Sequence, residues 1–111
     1  MGDQFKIGFV GASSAQGNQY AESLLRTLRD VDPAVRAERA RTREDTQDFG
    51  ASLVVVLGTA AATAVAKGIA SWMARNSGAR IEITADGKVI GTNLDSRDVA
   101  KIADAFSSHN K

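Results

Sequence analysis

The chain has no cysteine, so disulfides, thiolate metal sites and cysteine nucleophiles are excluded. It has a single histidine, His109, close to the end, in a stretch expected to fray. A histidine-dependent triad or a multi-histidine metal site is thereby excluded, and no metal and no cofactor are expected. Aromatic residues are few: Phe5, Phe9, Tyr20, Phe49, Trp72 and Phe106. Neither sign of charge dominates. Fourteen basic and 13 acidic side chains leave a net charge of +1, which gives no general drive toward nucleic acid or acidic lipid. Met1–Phe9 contains Asp3 and Lys6 and lacks an apolar h-region, so no signal peptide is read and a soluble cytoplasmic domain is expected.

What is present fits one domain over residues 1–111, with 1–4 and 108–111 as disordered tails. Hydrophobic residues make up 43%, but nineteen of them are alanine, so the core must rely on close backbone approach more than on bulk. Phe5, Ile7 and Phe9 alternate and predict a first strand. A loop of small residues, GASSAQG over 11–17, leads to a helix expected over 18–30, with Ala21, Leu24, Leu25 and Leu28 inward. Asp32-Pro33 ends it. AVRAERA over 34–40 reads as a short strand and RTREDTQD over 41–48 as a charged, solvated connection, and from Arg36 to Asp48 four arginines balance four acids.

Phe49–Ala66 is free of charge for 18 residues, the length at which a membrane span enters consideration. The three consecutive valines of LVVVL favour instead a buried strand turning into a helix over 59–76. Thr59, Thr63, Lys67, Ser71 and Arg75 give that helix a polar row that lipid would not require. One long helix over 49–76 is the competing reading. Gly78 is the stop. RIEITA and KVIGT around Asp86-Gly87 predict a two-residue hairpin. A last helix, N-capped by Asp95 or Ser96, turns Val99, Ile102, Ala103 and Phe106 inward. The alternation predicts an α/β (α+β) fold: a small mixed sheet of four to five strands, including the C-terminal hairpin, covered by three helices.

Two features compete as functional sites. Gly11, Ser13, Ser14 and Gly17 lie between a strand and a helix, where backbone N–H groups can hold a phosphate, yet their spacing matches neither nucleotide-binding glycine motif. The second is the small-residue stripe Gly58, Ala62, Ala66, Ala70 and Ala74, which permits close backbone approach. It serves either the chain's own sheet or a partner. With Lys67 and Trp72 beside it, the candidate partner surface is Ala62, Ala66, Lys67, Ala70 and Trp72. Trp72 is otherwise a core anchor with its N–H partnered. Glu44, Asp45 and Asp48 are carboxylates among arginines, a pattern of surface pairs more than of acid–base catalysis.

The order of pieces also resembles a known family. GASLVVVLGTAAATAVAKGIASWMAR, then RIEITADGKVIGTNL, then RDVAKIADAF, preceded by AESLLRTLRD, are similar to the effector-associated constant component family of bacterial conflict systems, over about residues 6–106. GASSAQG departs from the family pattern by making the first loop longer. The resemblance implies a non-enzymatic defence or signalling component, encoded beside effectors such as peptidases or near a sensor. The expectation is therefore an adaptor that docks an effector or self-associates as a homo-oligomer, without nucleic acid or membrane. The alternative is a small sensor binding a phosphate-containing ligand or nucleotide through loop 11–17.

Overall fold

A computed structural model describes residues 3–31, 35–39, 52–76, 78–85 and 88–108. In chain order it contains β1 (Asp3–Phe9), α1 (Ser14–Arg29), β2 (Arg36–Arg39), β3 (Ser52–Leu57), α2 (Ala62–Arg75), β4 (Ile81–Ala85), β5 (Lys88–Leu94) and α3 (Val99–Ser108), with one 3₁₀ turn over Thr59–Ala61 before α2. The expected α+β architecture stands: five strands, the C-terminal hairpin among them, and three helices among the described residues.

The strand order is β2-β3-β1-β4-β5, and every neighbouring pair is antiparallel. The alternation of strand and helix suggested a mixed sheet. Here each helical crossover skips one strand, β1 to β2 over β3 and β3 to β4 over β1. An antiparallel strand therefore always fills the gap. The first six elements form the split βαβ pattern of ferredoxin-like folds, and the β4–β5 hairpin with α3 extends it at one edge.

Side-chain alternation decides which face is covered. Phe5, Ile7 and Phe9, Leu53, Val55 and Leu57, and Ile81, Ile83 and Ala85 are buried, and they share one core with Leu24, Leu28, Ile69, Trp72, Ile102 and Phe106. The register aligns them, Phe5 opposite Val55 and Ile7 opposite both Leu53 and Ile83. The Phe5 and Phe106 rings meet edge-on at 4.8 Å, seating α3 on the central strand. Val54 and Val56 are only half-buried, because among the described residues no helix covers their face of the sheet. Lys6 and Glu38 lie opposite Val54, and Gln4 and Arg36 opposite Val56. The run of three valines thus marks a strand that is buried on one face and half-buried on the other.

Several boundaries move. β1 begins at Asp3, so Asp3 and Gln4, read as tail, belong to the sheet. α1 begins at Ser14, four residues early: Ser13 is its N-cap, and the Ser13 hydroxyl accepts from the Gln16 backbone N–H at 3.1 Å. Loop 11–17 therefore shrinks, and Gly17 is a buried helical residue. The uncharged run divides as expected into β3, the 3₁₀ turn and α2, which removes the single helix over 49–76. The helix α2 ends at Arg75 with Asn76 as its cap, ahead of the expected stop, and Gly78, at φ +94°, lies in the turn that the Ala79 N–H closes on the Asn76 carbonyl at 2.9 Å. The helix α3 starts after Asp98, because Asp95 caps a turn instead: its carboxylate accepts from the Arg97 N–H at 2.9 Å, while Asp98 accepts from the Asp95 N–H at 2.9 Å. Pro33, the 41–48 connection with Glu44, Asp45 and Asp48, Phe49, the Asp86-Gly87 turn and His109 lie outside the described residues.

Candidate functional site

The middle of the small-residue stripe is an internal seam, while Ala74 at its end is exposed. Ala62 and Ala66 are fully buried and Ala70 is buried, all turned toward the chain's own core. These alanines offer no surface to a partner, since a methyl group leaves nothing projecting from α2, whose close neighbours are α3 and α1. Gly68 continues the seam toward α1: a Cβ built there would stand 2.7 Å from Val31 Cγ2. The exposed side of α2 carries Thr63, Lys67, Ser71 and Arg75, the expected polar row, with Lys67 in solvent.

Trp72 is a core anchor. It is fully buried, and its Nε1–H donates to the Ser23 hydroxyl at 2.9 Å, joining α2 to α1. Phe9 and Tyr20 complete a cluster, with ring centroids 5.4–5.9 Å apart. It too is excluded from a docking face, because its ring is spent inside. In the first loop, Gly11 is exposed at φ +74°, the Ser13 hydroxyl is occupied as a cap, and Ser14 opens α1. Among the described residues no cluster of three or more His, Asp or Glu side chains could hold a metal ion. No helix among them is long and apolar enough to cross a membrane.

Two further surfaces lie at the sheet edges. At β2, three of four residues are charged. Arg39 reaches α1, where its guanidinium donates to Glu22 at 2.6 Å and to the Asn18 side-chain oxygen at 2.7 Å. This edge is short, charged and strapped to a helix. At β5, only Lys88 of seven residues is charged, and among the described residues no strand pairs with its outer side. Val89 is 55% exposed. The β4–β5 register slips twice, between Ile81 and Ile83 and between Ile83 and Thr84, and Asn93 has φ 55°, so the strand bends away at its far end.

Where β5 bends it parts from α3, and an open groove of about 530 Å³ lies between them. Ile90, Gly91, Leu94 and Ala105 give it an apolar floor, and Thr92, Lys101 and Asp104 a polar rim. Leu94 packs closely over Gly91, where a Cβ would stand 3.0 Å from Leu94 Cδ1. Lys101 Nζ leans toward Asp98 at 3.8 Å, whereas Asp104 has no ion pair among the described residues. At the foot of α3, the Arg97 backbone N–H, followed by its guanidinium, holds the Asp95 carboxyl below its ordinary value of 3.8. None of the groove residues was singled out from the sequence. The available signal was the uncharged run from Val89 to Leu94 in the last strand before the last helix.

With the geometry in place, a family model described as Effector Associated Constant Component 1 matches residues 13–107, from the N-cap of α1 to within one residue of the end of α3. No curated protein and no solved structure matches the chain.

Proposed function

The chain belongs to the Effector Associated Constant Component 1 family, and from that premise we propose that it is a docking module, binding an effector protein of a conflict or signalling system without turning over a substrate itself. The family's association with effectors carries the reading. Two features of the chain support it: the lack of cysteine and near-lack of histidine, which removes the commonest nucleophile–base pairs, and the β5 edge with its groove, a surface finished unlike the rest of the sheet. Docking then uses the β5–α3 side of the molecule, and the buried alanines of α2 serve the fold.

The test is direct. The purified chain is mixed with the effector encoded beside it and followed by size-exclusion chromatography with light scattering. Co-elution at the mass of a complex is expected. Separate elution across micromolar concentrations, or turnover of a substrate by the chain alone, overturns the reading.

A further inference from the structure

From the finish of the two sheet edges we infer that β5 and α3 receive an extended segment of the protein partner, which adds to the sheet as a sixth strand, seats alternate apolar side chains in the groove and places a lysine or arginine opposite Asp104. This inference rests on the docking reading and specifies its chemistry. Three observations carry it. A strand without an outer neighbour presents a row of backbone donors and acceptors that another extended backbone satisfies. The opposite edge, β2, has the charges and the strap that deter such pairing, and β5 after Lys88 has neither. The groove adds what a bare edge lacks: an apolar floor at Ile90, Gly91, Leu94 and Ala105, and on its rim the Asp104 carboxylate, which has no ion pair among the described residues while Lys101 leans to Asp98. Edge pairing sets backbone affinity while the alternate side chains set selectivity. A second copy of the chain fits less well. Its β5, paired antiparallel, brings its own α3 to the same side of the sheet, where the groove accepts side chains.

The experiment is a selection of displayed random octapeptides on the whole chain and on two variants. On the unaltered chain, enriched peptides alternate apolar or β-branched residues with polar ones and carry lysine or arginine at one fixed position. Asp104→Lys, an exposed substitution that leaves the fold intact, switches that position to aspartate or glutamate and weakens a peptide selected on the parent by about fivefold. Gly91→Val fills the floor and weakens it by at least about tenfold, with circular dichroism confirming the fold. Hydrogen exchange at β5 amides slows when the peptide binds. Enrichment with helical three-and-four spacing, no enrichment, or a motif indifferent to both variants overturns the inference. Protection of β5 on concentrating the chain alone assigns the edge to a second copy and overturns it equally. The effector complex is scored separately: a complex that forms while peptide selection fails removes the strand mode alone, and a complex that never forms removes the docking reading.

Discussion

β2 closes one side of the sheet with four residues, three of them charged, and Arg39 fastens it to Glu22 and Asn18 of α1. β5 closes the other side with seven residues, only the first charged, and runs beside an open groove. A bare strand edge invites pairing, and shortness, charge and a covering helix are the ordinary ways to discourage it. The first edge has all three. The second has a bend and a single lysine. Two edges of one small sheet, exposed to the same solvent, are thus finished for opposite outcomes.

The largest expected effect falls on the guarded side. Trp72→Ala removes the ring that ties α2 to α1 through Ser23, and α1 in turn holds Arg39. Urea unfolding should register a loss of about 3–5 kcal/mol. Native-state hydrogen exchange should open β2 more readily than β5. Equal opening of both strands would break the comparison. Next in size, Arg39→Ala unstraps β2 alone. Its side chain and that of Glu22 are 36% and 51% exposed, so the cost is only about 0.5–1 kcal/mol in thermal melts and shrinks as salt is added.

Charging the other edge sharpens the contrast in the opposite direction. Val89→Lys with Thr92→Glu should shift stability by no more than about 0.5 kcal/mol per site, since both positions are exposed. Titration calorimetry should nevertheless find effector binding lost, because β5 would then resemble β2. Undiminished binding would separate the edge from docking.

The smallest effect concerns the start of α3, the wall of the groove. The Asp95 carboxyl is held below 3.8 by the Arg97 backbone N–H and guanidinium. A depressed folded value means the stabilisation is present above the ordinary carboxylate value and lost as pH falls from 3.8 through the lower folded one. Thermal midpoints of the parent should therefore drop across that acid window, and those of Asp95→Asn should drop less. Parallel acid limbs would show that this carboxylate contributes nothing to the wall.

Legible parts lie on both sides of the molecule, the strands β4 and β5 and the inward face of α3 among them. Alternation at Phe5, Ile7 and Phe9, the leucine spacing of α1 and the lone tryptophan are local patterns, and each led to the observed burial. Gly17 concealed the start of α1, because glycine inside a helix usually argues against one. The Ser13-to-Gln16 spacing was the overlooked cap signal. The alanine stripe was ambiguous in principle. A small side chain suits a seam within one chain as well as a seam between two, and only the burial of Ala62 and Ala66 separates them. The groove was illegible because an edge is defined by what fails to pair. That depends on β1 inserting between β3 and β4, a contact far apart in sequence, and no periodicity within KVIGTNL encodes it.

The same insertion governs how the molecule is made. β1 leaves the ribosome before the strands it pairs with, and Phe9 meets Ile81 only after α1, β2, β3 and α2 have been made. Until then Phe5, Ile7 and Phe9 have only part of their final cover. Long-range closure of this kind slows folding and leaves an apolar ribbon open to wrong partners during translation. The central strand is therefore both the keystone of the finished sheet and the segment most in need of a chaperone on the way to it.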